Sequence, residues 1–142
     1  MEHWINAYPL EKIKSRIAKG IVYKIVNKNE IIGTISLASE QPPYYSEKYV
    51  NFWESPDQVA FYISGLAISP KHMGKGYATK LLKFVEKKAK DKGIKYIRFD
   101  AVSCYQELIE FYKRRGYNIV ATRVVGKYRS HFFEKCLAII SK

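Results

Sequence analysis

Two glycines, Gly74 and Gly76, stand between an apolar run and a long amphipathic one, and no other stretch restricts this chain's fold as much. The run QVAFYISGLAI, residues 58–68, reads as a strand that Pro70 stops. Across residues 75–92, Ala78, Leu81, Leu82, Val85 and Ala89 fall on one helical stripe, and lysines cover the remainder. Gly93 suits the end of that helix. A helix start carries unpaired backbone N–H groups and about half a positive charge. Glycines ahead of it let an anion approach the main chain with no Cβ in the way. Thr79 offers a hydroxyl at the same place. The plainer alternative is a glycine turn into a solvated helix. Two phosphate motifs fail: there is no GxxxxGK[ST], and the third glycine of a GxGxxG would fall on Thr79.

Around this unit the remaining elements follow from periodicity. Residues 9–20 read as a helix, with Leu10, Ile13 and Ile17 on one face, Pro9 in its first turn and Gly20 at its end. IVYKIV (21–26) and IIGTISL (31–37) read as a hairpin. Pro42, Pro43 and Pro56 make residues 39–57 an irregular excursion, long enough to suggest a binding loop. KYIRFDAV (95–102) predicts a strand and QELIEFYKRR (106–115) a helix closed by Gly116. YNIVATRVV (117–125) and HFFEKCLAII (131–140) predict two last strands. The order is an α/β alternation that predicts one domain over residues 1–142, with a mixed sheet and helices on its faces.

Composition narrows the partners. The 142 residues carry a net charge of +12, which favours anionic ligands. The charge is uneven. Residues 71–98 hold ten basic side chains against Glu86 and Asp91, whereas residues 40–57 hold Glu40, Glu47, Glu54 and Asp57 against Lys48 alone. No apolar run is long enough to span a membrane, and the first residues do not read as a secretory signal. Cys104 and Cys136 are too few for a disulfide framework, so we expect reduced thiols and a cytoplasmic protein. His3, His72 and His131 have no ligand spacing with the cysteines, and no metal is expected.

GLAISPKHMGKGYATKLL resembles the acetyl-CoA motif of the GNAT family of N-acetyltransferases. Leu66, Ile68 and Pro70 fill the strand part of that motif, Gly76 and Ala78 its last two turn positions, and Leu81 and Leu82 its helix pair. Met73 stands where the family carries Gln or Arg. IEFYKRRGYNIV resembles the second family signature through Phe111, Tyr112, Gly116 and Tyr117, with Tyr105 where the family often has Asn. FFEKCL is similar to the last strand of the family. The resemblance covers essentially the whole chain. It implies an acyl-CoA N-acyltransferase fold, with a mostly antiparallel twisted sheet flanked by helices. Trp4, Tyr8 and Pro9, then GTISL, resemble segments that follow an earlier strand and helix in bacterial members. The resemblance implies that this opening unit is missing here, leaving either a short start or an uncovered sheet edge. An uncovered sheet edge invites pairing, and a homodimer is the expectation.

The resemblance further implies acetyl-CoA as cosubstrate and direct acetyl transfer to a primary amine of a small molecule or peptide. The pantetheine arm would run along Leu66, Ala67 and Ile68. The pyrophosphate would sit on the N–H groups of Gly74, Lys75, Gly76, Tyr77, Ala78 and Thr79, with Lys75 adding charge, and Met73 and Tyr105 would be further cofactor contacts. Tyr112 would be the general acid that protonates the leaving thiolate, and a backbone N–H near Leu66 would meet the oxyanion. The general base is not readable, with Glu54, Asp57, Tyr62 and Ser64 as candidates. The aromatic, acidic loop suggests Tyr44, Tyr45, Trp53 and Glu54 as acceptor contacts, the alternative being a loop packed on its own sheet. Cys104 reads as a small buried residue rather than an acyl carrier. Two other classes stay open: a basic nucleic-acid-binding module, and an acetyl-CoA-binding regulator without catalysis.

Overall fold

The computed structural model describes residues 21–42 and 52–137. The helix expected over 9–20, and Tyr44 and Tyr45, lie outside the described residues. Strands β1 (Ile21–Asn27) and β2 (Glu30–Ala38) form a hairpin, closed by Lys28 and Asn29, both at positive φ, as a twist-matched two-residue turn requires. Next come β3 (Ala60–Ile68), a single 3-10 turn (Pro70–His72) and helix α1 (Tyr77–Asp91). They are followed by β4 (Tyr96–Val102), helix α2 (Gln106–Arg114), β5 (Asn118–Val125) and β6 (Tyr128–Cys136). The strands make one sheet in the order β1-β2-β3-β4-β6-β5. Only β3 and β4 run parallel, because α1 carries the chain back across the sheet between them.

Leu81, Leu82, Val85 and Ala89 of α1, and Leu108, Ile109 and Tyr112 of α2, are buried in one core with Ile35, Phe61, Ile97, Phe99 and Phe133 of the sheet. Both helices therefore cover the same face. The opposite face carries a second, smaller core of Trp53, Ala60, Tyr62, Tyr96 and Phe132.

One boundary is corrected. The last strand begins at Tyr128, three residues before the sequence reading places it, because Val125 pairs with Tyr128 across a tight turn at Gly126 and Lys127. Tyr128, Arg129 and Ser130 are pulled into the ladder by that turn and not by apolar alternation. Residues 138–140 of the expected strand lie outside the described residues.

Two irregularities shape the middle of the sheet. Between β2 and β3 the register runs Gly33↔Ile68 and Thr34↔Ala67, then Ser36↔Ser64, so β3 holds one residue more than its partner. Gly65 takes φ +63° in this bulge, and the Thr34 hydroxyl donates to its carbonyl at 3.2 Å. On the other side, β3 pairs with β4 at three positions only, Ala60↔Tyr96, Phe61↔Ile97 and Tyr62↔Arg98. Past the last pair the two strands diverge into a fork.

Candidate functional site

A cavity of about 460 Å³ opens on the helix-covered face beside this fork. Leu66 and Ile68 of β3 form its floor. The glycine turn and the first turn of α1 form one wall, through Met73, Gly74, Gly76, Tyr77, Ala78 and Thr79. The other wall is α2, through Glu107, Leu108, Phe111, Arg114 and Arg115.

The glycine turn is built for a close approach. Gly74 and Gly76 hold φ of +77° and +85°, and a Cβ at either would meet nothing within 4 Å. Gly76 is the residue before α1, no side chain caps the helix, and its first turn contains no acidic residue. The first intrahelical bond runs from Lys80 N–H to the Gly76 carbonyl at 3.0 Å. The amides of Tyr77, Ala78 and Thr79 precede that bond, so the positive end of the helix dipole faces the cavity uncompensated.

The 3-10 turn is tied to the hairpin. Ser69 N–H donates to the Ile32 carbonyl at 2.7 Å, and Lys71 forms an ion pair with Glu30. That lysine's hydrogen bond holds the Glu30 carboxyl below the usual carboxylate range, burial opposing it. His72 lines the cavity next to Tyr77, and its Nδ1 is buried with no hydrogen-bond partner among the described residues.

Arg115 Nε donates to Thr79 Oγ1 at 2.8 Å and Nη1 to the Phe111 carbonyl at 3.0 Å, while the guanidinium lies 3.8 Å above the Phe111 ring. Thr79 Oγ1 accepts in that bond, so its own hydrogen stays available to an anion. Arg115 thus joins the two walls and presents fixed positive charge between them.

Of the residues expected at the cofactor, the cavity gathers Leu66, Ile68, Met73, Gly74, Gly76, Tyr77, Ala78 and Thr79. Ala67 lies between them on β3, paired with Thr34. Lys75 is exposed on the turn, outside the lining, and the cations that do line the cavity are Arg114 and Arg115. Glu107, Leu108, Arg114 and Arg115 carry no motif in the sequence and Phe111 stands out only as a signature position, although the spacing of one, four, seven and eight residues from Glu107 marks one helix face. Tyr105 precedes α2 and packs against the main core. Tyr112 is 4 % exposed and does not line the cavity. Its ring packs at 4.5 Å on Phe99, the first β4 residue past the last β3 pair.

The acceptor-side expectations change more. Trp53 is 3 % exposed and belongs to the second core, so it is a packing residue and not an open wall. Its indole N–H donates to Gln41 Oε1 at 2.9 Å, which satisfies the polar edge of a ring large enough to fill that face. Glu54 is exposed, and its backbone N–H donates to Glu134 Oε1 at 3.0 Å. Asp57 is exposed, Tyr62 accepts a hydrogen bond from Arg98, and Ser64 is half-buried at the fork. Cys104, expected to be buried, is exposed just past β4.

A family model described as the acetyltransferase (GNAT) family matches residues 3–117. A search of curated proteins found no match. Among solved structures, a GNAT acetyltransferase from Elizabethkingia anophelis with acetyl-CoA bound is similar at 20% identity, covering 91% of this chain and 84% of that one, with a TM-score of 0.67. An IAA acetyltransferase from Bacillus cereus is similar at 16% identity, over 91% of this chain and 85% of that one, with a TM-score of 0.67. An aminoglycoside 6'-acetyltransferase type Ii is similar at 17% identity, over 97% of this chain and 84% of that one, with a TM-score of 0.71. At these identities the likeness is one of fold, and the mixed six-stranded sheet with its two helices is the shared architecture. The family model spans most of the sequence and includes both the glycine turn and Tyr112, and the chain belongs to the acetyltransferase (GNAT) family.

Proposed function

We propose that this protein transfers the acetyl group of acetyl-CoA to a primary amine of a small molecule or peptide, by direct attack of the amine. The observation that carries this reading is the juxtaposition of the fork between β3 and β4 with an uncapped, glycine-led helix start. A diphosphate fits that helix start, since open space stands where two Cβ atoms would be and the first turn of α1 carries no acidic residue. Acetyl-CoA supplies the activated acyl group as a thioester. A structural relative binds acetyl-CoA, and another is named for acetylating an aminoglycoside, which supports both halves of the reading.

The chain's own groups then divide the work. Amides of Gly74 to Thr79, with Arg114 and Arg115 opposite, hold the diphosphate. The β3 backbone beyond Tyr62 has no β4 partner on its fork side, and it offers N–H and C=O groups to the amides of a pantetheine arm. The bulge at Gly65 and Leu66 turns a backbone N–H toward the carbonyl oxygen as negative charge grows there. Tyr112, on the β4 side of the fork, donates the proton to the departing sulfur.

On the far side of the sheet, Asp100 follows Arg98 on the same face of β4, half-buried and just beyond the last β3 pair. It is the carboxylate nearest the fork along the chain, and we assign it the removal of the amine proton. Homodimer formation and a cytoplasmic location belong to the same reading.

The test measures free thiol release with acetyl-CoA and a panel of spermidine, kanamycin, lysine and a peptide with a free N-terminus. Turnover with at least one amine is expected. Tyr112→Phe should lower the rate by about 10²–10⁴-fold. Coenzyme A binding without any turnover would favour a regulator, and a nucleic-acid gel shift without coenzyme A binding would favour the binding module.

A further inference from the structure

The last β3–β4 pair before the fork is Tyr62↔Arg98, and the Arg98 side chain is 0 % exposed. Its Nε donates to Glu134 Oε2 at 2.7 Å, Nη1 to the Tyr62 hydroxyl at 3.1 Å and Nη2 to the Ser55 carbonyl at 2.7 Å. Glu134, itself 4 % exposed, uses its other oxygen to accept the Glu54 N–H. The guanidinium lies 5.0 Å from the Trp53 ring centre and 5.1 Å from that of Tyr96. One cation therefore joins β3, β4, β6 and the segment at residues 53–55, on the sheet face away from the cavity.

A buried ion pair is a costly way to gain stability, since well-packed apolar groups of similar volume often do as well. What this pair supplies is geometry. The planar guanidinium fork of Arg98 fixes three directions at once. Those directions set where β3 leaves β4 and where the end of the 39–57 excursion rests on the sheet.

We infer that Arg98 and Glu134 are positioning residues that hold the acceptor side of the transfer site, fixing the fork and the segment at 53–55 without touching the cosubstrate. This rests on the acetyltransferase reading above. None of the five residues in the network, Arg98, Glu134, Tyr62, Ser55 and Glu54, lines the cavity, so coenzyme A binding is insulated from it.

The test uses Arg98→Lys, which keeps a paired charge but lacks the planar fork that reaches Glu134, Tyr62 and Ser55 from three separate nitrogens, and the double variant Arg98→Met/Glu134→Leu, which removes both charges together. Each is compared with the unaltered protein for coenzyme A affinity, for amide exchange at Glu54, and for kinetics with whichever panel amine turns over. Coenzyme A affinity should change less than about twofold in both variants. Glu54 exchange should quicken by about tenfold in the double variant, where its acceptor is gone. For both variants kcat/KM for the amine should fall about 10–100-fold while KM for acetyl-CoA holds. Wild-type exchange at Glu54 in the folded double variant, or amine and acetyl-CoA constants moving in step, would overturn the proposal. A double variant that fails to fold leaves the decision to Arg98→Lys, for which an unchanged kcat/KM for the amine is the overturning result. If no panel amine turns over with the unaltered protein, the acetyltransferase reading fails first, while Glu54 exchange still decides whether the pair holds the segment.

Discussion

Gly76 holds φ at +85° with open space where a Cβ would stand. Replacing it with alanine therefore clashes with nothing and costs only the left-handed conformation, about 1–2 kcal/mol of stability. The same methyl projects where a diphosphate would lie, so coenzyme A affinity should fall as well. Thermal unfolding with and without coenzyme A separates the two effects: Gly76→Ala should lower the midpoint and also shrink the ligand-induced rise. Ala78, on the first turn of α1, provides a control at which Ala78→Ser should leave the unliganded midpoint nearly unchanged. This part of the site is legible in sequence because glycine has one physical use at such a place, freedom at positive φ. Arg114 and Arg115 are not legible in the same way. An arginine near a helix end is ordinary, and only the fold shows that the α2 face bearing them looks across at the α1 start. Trp53 misleads for a related reason. An aromatic residue in a proline-broken loop fits an open wall as well as a core, and the buried Arg98 beneath it decides for the core.

The helices α1 and α2 must keep their spacing if the cavity is to persist, and a half-buried polar clamp does this. Glu86 on α1 accepts from the Tyr117 hydroxyl at 2.8 Å and from Lys135 Nζ at 3.0 Å, and Lys135 also donates to the Arg115 carbonyl at 2.9 Å. Burial first, and the Glu86 carboxylate second, push the Tyr117 phenol far above its usual range, so it stays a donor. Tyr117→Phe should cost about 1 kcal/mol, and Lys135→Met about 1–3 kcal/mol because Glu86 is left without its cation. Denaturant unfolding monitored by circular dichroism measures both. In the β5–β6 hairpin, His131 Nδ1 lies 2.8 Å from the Thr122 hydroxyl. Its pKa is lowered by burial first, then by Lys113 and Arg129. The folded protein thus resists a proton that the unfolded chain accepts below about pH 6.5. Stability from this group is complete above that pH and declines as pH falls below it. His131→Gln should flatten the acid side of a plot of melting midpoint against pH. Elements were readable where apolar spacing was strong, as in β3, α1 and α2. The fork was not, because a sequence carries no mark of how many residues of two parallel strands pair.

At the scale of the whole molecule, the net charge of +12 concerns association more than fold. Lys83 and Lys90 are exposed on α1, and Lys90 stands fourteen residues beyond Gly76. At 1.5 Å per residue that is roughly 20 Å from the helix start. The Debye length is about 10 Å at 0.1 M salt, so these lysines act on an anionic ligand only through a screened field. Arg114 and Arg115 line the cavity itself. Two variants of equal charge change separate the contributions. Lys83→Ala/Lys90→Ala should weaken coenzyme A binding slightly at low salt and not at all by about 0.5 M salt. Arg114→Ala/Arg115→Ala should weaken it at both, since direct charge-assisted bonds are lost along with the link from Arg115 to Thr79. Calorimetric titration across a salt series reads the difference. Parallel salt curves for the two variants would mean that the cavity holds its ligand by diffuse charge alone, leaving the amide-lined helix start without the selective role that its geometry implies.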